Sequence, residues 1–578
     1  MNDAVLTPTP NDCDLPRIRA QFATFNDAID YAARSRKGLN FHDMRGELAR
    51  VYPYAEMRED ALVMARRLIA AGIGKEDRVA LIAETGADFA ALFCACVYAG
   101  AWPVPLPLPT SFGGREGYVE QIRSQLMSCD PALTLAPSGL AGIVSESANG
   151  LRCRSAIDWL DFMARRAAPV ALPEAKPDDI AYLQYSSGST RFPHGVEITH
   201  RALLANLNGH AVGVGLAGDD RVISWLPYYH DMGLVGCLMA PIANQVSADY
   251  LATEDFARRP LSWLALISRN EGHSLSYSPT FGYDICARRV SSQTDVAERF
   301  DLSRWRVAGN GADMIRPDVM QKFVDVFAEA GFNASAFLPS YGLAEATLAV
   351  SIMPPGEGIV VELVEEAQLS GEDAEAGRPR RYRAIVNCGK PARDMIIEVR
   401  DNDGTVLEER AIGKVWCKGP SLMTGYYRDP DATAACMADG WLDTGDMGYL
   451  SDGYIYIVGR AKDMIIINGK NHWPQDIEWA VEQLPGFKSG DIAAFAVTLP
   501  NGEETPVVLV QCRTSNEDER LRLRETIRER VRSITGMQCV VELVPPKTLP
   551  RTSSGKLSRS KARLQYLSGE IMPLPVDA

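Results

Sequence analysis

Apolar positions along the chain alternate between short runs typical of buried strands and longer segments with helical spacing. Residues 78–83 predict a buried strand, and residues 57–71 have helical spacing that stops at Gly72. This alternation favours a layered α/β fold whose sheets are largely parallel. Further strand–helix pairs are predicted over residues 180–207, 221–242 and 334–352.

One uncharged stretch, residues 89–114, resembles a membrane span in length. Four prolines, at positions 103, 105, 107 and 109, prevent a continuous helix through it. We therefore predict a buried helix over residues 89–101, followed by an extended proline-rich segment, and no membrane span.

Two changes of pattern divide the chain. Residues 353–385 mix prolines, glycines and acidic residues and end in a basic run, which predicts an exposed insertion with some extended structure. Beyond it the pattern becomes strand-rich, until a further change at Gly459. The fold class expected is α/β. A large N-terminal domain (residues 1–459) would hold layered sheets and a small β-rich subdomain, and a small α+β C-terminal domain would span residues 460–578.

Composition and charge narrow the classes of partner and the cell compartment that we expect. The net charge is −14, from 60 basic and 74 acidic residues, so a nucleic-acid partner is not expected. The twelve cysteines form no C-x-x-C pair, which favours free thiols in a reducing compartment. The first twenty residues contain no apolar core typical of a secretory signal. We expect a cytoplasmic protein.

The most informative segment is a loop rich in serine and glycine that follows the predicted strand 180–184. Its short hydroxyls, free backbone N–H groups and glycine suit an anion such as a phosphate chain. No Walker sequence occurs in the chain, and an ordinary surface turn is an equal alternative for this loop. The loop comprises Ser186, Ser187, Gly188, Ser189 and Thr190.

Four other segments carry candidate chemistry, each with an ordinary alternative. Tyr341 could stack on a base, and Glu345 could hold magnesium or only favour a helix N-terminus. Asp446 could accept hydrogen bonds from ribose hydroxyls or form a turn. Lys556 could neutralise a phosphate or belong to a solvated basic tail. His230, between aromatic and acidic residues, could orient a carboxylate or be structural.

A glycine motif at residues 213–218 matches the dinucleotide-binding pattern G-x-G-x-x-G. That pattern must follow a strand and begin a helix. Here a predicted helix precedes it and a predicted strand follows it. We interpret the segment as a turn.

The order of these motifs resembles the adenylate-forming (ANL) superfamily of acyl and aryl ligases over roughly residues 20–565. Within it the chain is most similar to the fatty acyl-AMP ligases. The histidine motif at 224–234, the sequence at 341–347 with an alanine where CoA ligases typically have threonine, and the position of the insertion carry that similarity. The motifs are, in order, the serine loop, His230, Gly311-Ala312, Tyr341-Gly342 with Glu345, Asp446, Gly459-Arg460 and Lys556.

This resemblance implies ATP and Mg²⁺ as cofactors and a role for each matching residue. The serine loop would cradle phosphates, Glu345 would bind magnesium, Lys556 and His230 would be catalytic, and Lys462 would be the hinge. The family usually has lysine where this chain has His194, so one lysine charge is absent beside the loop. Adenine and ribose would contact Asn310, Gly311, Ala312, Ser340, Tyr341, Gly342, Asp446 and Arg460.

The resemblance also implies the partners. The substrate would be a fatty acid, and the acyl acceptor would be a holo acyl carrier protein supplied in trans. A fatty acyl-CoA ligase shares every adenylation residue and stays open as an alternative. A non-catalytic binder of acyl-adenylate is a further alternative, to which His194 lends some support.

Overall fold

The computed structural model describes residues 15–109, 114–153, 156–185, 194–290, 295–370, 380–467, 470–498, 504–552 and 556–575. The predicted phosphate loop, with Ser186, Ser187, Gly188, Ser189 and Thr190, lies outside the described residues. Residues 371–379 of the predicted insertion also lie outside them.

The strands of this part of the chain are numbered in chain order. They are β1 (Gly38–His42), β2 (Leu48–Pro53), β3 (Arg78–Ile82), β4 (Trp102–Leu106), β5 (Leu133–Ala136), β6 (Ile157–Asp158), β7 (Ile180–Tyr185), β8 (Gly195–Thr199), β9 (Asp220–Ser224), β10 (Ser247–Leu251), β11 (His273–Ser278), β12 (Trp305–Asn310), β13 (Phe337–Gly342), β14 (Ala349–Ile352), β15 (Val361–Glu365), β16 (Tyr382–Val386), β17 (Lys390–Pro391), β18 (Ile396–Arg400), β19 (Gly413–Lys418), β20 (Gly425–Tyr426), β21 (Met437–Ala438), β22 (Trp441–Ser451), β23 (Tyr454–Arg460), β24 (Ile465–Ile467), β25 (Lys470–His472), β26 (Ile492–Thr498), β27 (Glu504–Gln511) and β28 (Val540–Val544).

The helices follow the same numbering. They are α1 (Phe25–Ala32), α2 (Tyr54–Ala70), α3 (Ala87–Tyr98), α4 (Gly114–Cys129), α5 (Ala141–Ser147), α6 (Trp159–Met163), α7 (His200–Gly213), α8 (Ala240–Ala243), α9 (Thr253–Arg258), α10 (Leu261–Arg269), α11 (Thr280–Arg289), α12 (Val296–Arg299), α13 (Pro317–Phe327), α14 (Glu366–Ser370), α15 (Pro430–Cys436), α16 (Pro474–Glu482), α17 (Glu517–Thr535) and α18 (Arg559–Leu567). A π-helical segment spans Met232–Met239, and 3₁₀ turns span Ala334–Ala336, Ala344–Ala346 and Ala461–Asp463.

Two sheets formed by the first 391 residues consist mainly of parallel strands, which confirms the predicted α/β class. Among the described residues, nine strands form one sheet in the order β17-β14-β13-β12-β11-β9-β10-β1-β2. Its six strands from β13 to β1 are parallel, and the strands outside them are antiparallel. A second sheet, β4-β3-β5-β6, is parallel throughout. Parallel strands are buried on both faces by helices, which explains their continuous apolar runs.

The uncharged stretch folds as its prolines predict. Helix α3 is buried along almost its whole length, and the proline-rich segment after it forms β4. Prolines are tolerated in β4 because it lies at the edge of its sheet. No helix among the described residues combines the length and apolar character that a membrane crossing requires.

The prediction for residues 334–352 is wrong in one respect. Strand β13 is followed by the single 3₁₀ turn Ala344–Ala346 and by the antiparallel strand β14, where an α-helix was expected. Thr347 has a positive φ of 68° and donates its hydroxyl to the Ser421 carbonyl oxygen at 2.7 Å. That buried bond reverses the chain and holds Glu345 at the sheet edge.

The residues after Ile465 form their own sheets, β24-β25 and β26-β27-β28, with α16, α17 and α18 against them. Their apolar side chains make clusters of their own, including Ile477, Val508 and Val531. The ends of α17 follow from local sequence, since the Asn516 side chain caps its start and Gly536 ends it with φ 73°.

The described part of the insertion contains a β-hairpin, in which β15 pairs with the antiparallel strand β16. Helix α14 directly follows β15 along the chain. Val364 and Leu369 pack against Trp473, whose indole N–H donates to the Leu369 carbonyl oxygen at 3.3 Å. The Arg383 Nε lies 3.0 Å from the Asp476 carboxylate. The insertion therefore contacts residues beyond Ile465.

Candidate functional site

A cavity of about 230 Å³ lies beside the carboxyl ends of the central parallel strands. Strands β9, β11, β12 and β13 run in one direction, so the segments that follow them meet at a single edge of the sheet. The segments after β9 and β12 supply His230 and Ala312 to the lining, and the end of β13 supplies Tyr341. Arg460 and Lys556 come from far later in the chain.

The turn after β12 packs closely against the backbone of β13. An added Cβ on Gly311 would lie 2.9 Å from the Ser340 carbonyl oxygen, and Ala312 has a positive φ of 71°. Gly311, Ala312 and Ser340 all line the cavity. Asn310 does not, because its amide donates to the Met320 sulfur at 3.1 Å inside the core. Its predicted contact with adenine has no support in this orientation.

Tyr341 and two residues of the β-rich region form a chain of polar contacts. The Tyr341 hydroxyl donates to an Asp446 carboxylate oxygen at 2.7 Å, and the other oxygen lies 3.2 Å from the Arg460 Nε. Asp446 pairs with Arg460 across β22 and β23, so it belongs to a strand and not to the turn considered from sequence. The Asp446 charge raises the pKa of Arg460, and burial raises the pKa of Tyr341 well above its usual value.

Glu345 lies at the same edge in the 3₁₀ turn after β13. One of its oxygens accepts a hydrogen bond from the Tyr426 hydroxyl at 2.8 Å. Burial raises the pKa of Glu345, because the contacts that the protein makes with the carboxylate do not replace all of the hydration that the charged form loses. A divalent cation bound to one carboxylate and to substrate phosphates suits this donor, since Mg²⁺ prefers oxygen ligands. Glu345 therefore fits the magnesium that the resemblance implies.

Lys556 reaches the sheet edge from the C-terminal region. Its ammonium donates to the Ala312 carbonyl oxygen, and Asp231 and Asp313 face it. Burial lowers the pKa of Lys556 and raises the pKa of Asp313 to about 6, although each charge favours the other. A positive charge is thus held beside the Gly311–Ala312 turn, where a phosphate chain could meet it.

His230 is held by the residue beside it. Its Nδ1 lies 2.6 Å from an Asp231 carboxylate oxygen, and that oxygen also accepts from the Met232 backbone N–H at 2.7 Å. Burial would raise the pKa of Asp231, but His230 and then Lys556 lower it below its usual value. The imidazole lies just before the N-terminal end of the π-helical segment and lines the cavity.

The predicted phosphate loop is flanked by two residues of the cavity lining, Tyr185 and His194. The His194 Nδ1 lies 3.1 Å from the Asp429 carboxylate, and its ring centroid is 4.9 Å from that of Tyr426. The histidine that replaces the usual lysine thus contacts the tyrosine that binds Glu345. Gly342 and the predicted hinge residue Lys462 also line the cavity.

Sequence reasoning missed several lining or neighbouring groups. Tyr426, Thr444, Asp231 and Asp313 were not among the candidate site residues, although all four lie at this site. Asp313 directly follows the Gly311–Ala312 turn, which was a usable signal. Nothing in the local pattern around Tyr426 distinguishes it from a core aromatic residue.

Comparisons with known proteins agree with this geometry. The family described as AMP-binding enzyme matches residues 39–427. A Caulobacter vibrioides protein, provisionally named an acyl-CoA synthetase, is 46% identical over 98% of each chain. The medium-chain-fatty-acid–[acyl-carrier-protein] ligase JamA of Moorena producens is 32% identical over 96% of each chain.

Similarity to solved structures extends over the whole fold. A structure from studies of fatty acyl-adenylate ligases of E. coli and L. pneumophila superimposes with a TM-score of 0.91. It is 43% identical and covers 96% of this chain and 100% of its own. The chain therefore belongs to the AMP-binding enzyme family of the ANL superfamily, among the adenylate-forming ligases that activate fatty acids.

Proposed function

We propose that this protein joins a fatty acid to AMP and then passes the acyl group to the phosphopantetheine thiol of a carrier protein, with release of AMP and the thiol proton. In the first step a carboxylate oxygen attacks the α-phosphorus of ATP. The bond from that phosphorus to the bridging oxygen breaks, and pyrophosphate leaves with the electron pair. One observation supports this reaction above the others: Glu345, Lys556, His230 and Arg460 border a single cavity.

Positioning and charge neutralisation dominate such phosphoryl chemistry. Lys556 is the group that would neutralise charge as pyrophosphate departs, because its ammonium is already held beside the Gly311–Ala312 turn. Magnesium, when bound, supplies further neutralisation of phosphate oxygens, and Glu345 would hold it. His230, oriented by Asp231, would align the attacking carboxylate.

Nucleotide binding would use both sides of the cavity. Tyr341 and the Gly311–Ala312 turn would seat adenine, while Asp446 and Arg460 would hold the ribose. The serine-rich loop, residues 186–190, would contact the β- and γ-phosphates, and its lining neighbours Tyr185 and His194 support that position.

We also propose that residues 460–578 act as a unit that turns about Lys462 relative to residues 1–459. The separate apolar clusters after Ile465 support this division. Lys556, which belongs to the later unit, would then be able to leave the cavity after adenylation and make room for a thiol.

The choice of acyl acceptor follows from two considerations. JamA, a relative over most of its length, is named as a carrier-protein ligase. The insertion hairpin also contacts Trp473 and Asp476, and we propose that it hinders productive use of free CoA as the acceptor. A second candidate function, fatty acyl-CoA ligase, is favoured by the name of the C. vibrioides relative.

One experiment separates these activities. Purified protein is incubated with ATP, Mg²⁺ and a series of saturated fatty acids, and acyl-AMP and pyrophosphate are measured. The adenylate is then chased with free CoA or with a holo carrier protein. Carrier-bound product without acyl-CoA supports the proposal, acyl-CoA supports the alternative, and no pyrophosphate release with any acid indicates a non-catalytic binder.

Removal of the hairpin tests whether the insertion determines which acyl acceptor is used. A variant in which residues 361–386 are replaced by a short glycine–serine linker should form more acyl-CoA than the parent while adenylation is retained. An unchanged ratio of acyl-CoA to acyl-AMP would contradict the proposed role of the insertion.

A further inference from the structure

The cavity lining contains charged residues, such as Lys556 and Arg460, and also a set of apolar residues that suits the acyl chain of the proposed substrate. The apolar residues are closely packed, since an added Cβ on Gly236 would lie 3.1 Å from Leu348. Its lining includes Met232, Gly236, Leu348, Ala349 and Ile352.

Two polar side chains interrupt this apolar lining. His210 of α7 and Tyr277 of β11 both face the cavity, and the His210 Nε2 lies 3.0 Å from the Tyr277 hydroxyl oxygen. Both residues are buried, with 7% and 6% of their surface exposed. No described residue hydrogen-bonds to the His210 Nδ1. Polar groups in such surroundings normally find a partner.

The pair is built into the fold. Tyr277 lies opposite Gly309 in the register of β11 and β12, and any side chain on Gly309 would overlap the Tyr277 ring. The glycine therefore sets the position of the tyrosine, and α7 presents His210 to its hydroxyl. Burial lowers the pKa of His210 to about 4, so the imidazole is neutral near pH 7.

The His210–Tyr277 pair has one hydrogen-bond donor more than its mutual hydrogen bond uses. A neutral imidazole carries one N–H donor and the phenol carries one O–H donor. The single bond between them uses one of these hydrogens whichever tautomer is present. If the phenol donates, the Nδ1–H of His210 is left; if Nε2–H donates, the Tyr277 O–H is left. One donor hydrogen in an apolar cavity thus needs an oxygen acceptor.

We propose that His210 and Tyr277 recognise an oxygen atom on the acyl chain, so that the preferred substrate is a hydroxy or oxo fatty acid. This inference rests on the proposed function and names its substrate class. The oxygen would lie at one defined distance from the carboxyl end, because the pair and the reaction centre are both fixed by the same sheet. A plain saturated chain would leave the donor unpaired.

The test compares adenylation of dodecanoate with that of a set of monohydroxy- and oxododecanoates that carry oxygen at successive carbons. We expect kcat/KM for pyrophosphate release to rise about fivefold or more at one or two adjacent positions, as one buried hydrogen bond would give. If plain acids are adenylated and no oxygenated acid is preferred, the inference is overturned while the proposed function survives. If no acid is adenylated, both fail.

A variant assigns the preference to the pair. His210→Leu with Tyr277→Phe removes both donors, whereas either change alone leaves one, so the double variant is used. The ratio of kcat/KM for the best oxygenated acid to that for dodecanoate should fall to about one. His273→Gln, on the exposed start of the same strand, is the matched control and should keep the ratio. A ratio that persists in a folded double variant would overturn the assignment.

Discussion

Replacing Lys556 by alanine removes the positive charge that the C-terminal region places in the cavity. The Lys556 ammonium donates to the Ala312 carbonyl oxygen and interacts with the charges of Asp313 and Asp231, so protein groups hold it in the cavity in this conformation. The loss of one such preorganised donor costs about 10²–10³ in rate, or about 2.7–4 kcal/mol of transition-state stabilisation. We expect adenylation by Lys556→Ala to fall by this factor.

The assay should measure the two half-reactions separately. Adenylation is followed by pyrophosphate release from ATP with a fatty acid, and acyl transfer is followed from preformed acyl-AMP to the thiol acceptor. Because pyrophosphate departs only in the first step, transfer should change by no more than about threefold. The matched control is Lys561→Ala, which removes an equal charge from the exposed face of α18.

Two results would refute the reasoning. Near-parental adenylation by Lys556→Ala would show that the lysine does not stabilise the departing charge. An equal loss in Lys561→Ala would show that the net charge of the region matters and that the position of Lys556 does not.

Three further changes test the site and its frame. Gly342→Ala would overlap a neighbouring backbone carbonyl oxygen, so it should lower the free energy of unfolding by about 1–3 kcal/mol in urea titrations, whereas exposed Gly218→Ala should not. Tyr341→Phe removes a hydrogen bond to the Asp446 carboxylate and should raise the KM for ATP about tenfold, and an unchanged KM would count against that arrangement. Burial lowers the pKa of His200 from 6.5 to about 4, so the stability that its neutral form contributes is complete above pH 6.5 and is lost as the pH falls towards 4. His200→Asn should therefore reduce the loss of unfolding free energy between pH 6.5 and 4 by about 1.4 kcal/mol per pH unit, and identical slopes in the two proteins would contradict this.

Much of the fold could be predicted from sequence because it depends on local patterns. The buried runs that became β3 and β7, the apolar helix α3 and the proline-rich strand β4 are each defined by neighbouring residues. The insertion was visible as a change in composition. Candidate residues such as Tyr341 and Lys556 could be named because their order along the chain matches a family.

The error within residues 334–352 arose where a long-range contact overrides local preference. The segment after β13 has residues that suit a helix, yet a buried bond from Thr347 to Ser421 turns it into β14. The contact of Asn310 with adenine stays a prediction, because the structure shows only that the packing of α13 places Met320 beside its amide.

The sequence by itself determined the class of fold, the succession of strands and helices, and most of the residues that could carry chemistry, since periodicity and motif order are properties of neighbouring positions. Only the tertiary structure decided which of them meet. Tyr426 with Glu345 and His210 with Tyr277 are 81 and 67 residues apart. Such pairs form because the order of strands in the sheets brings distant segments together, and no local pattern encodes that order.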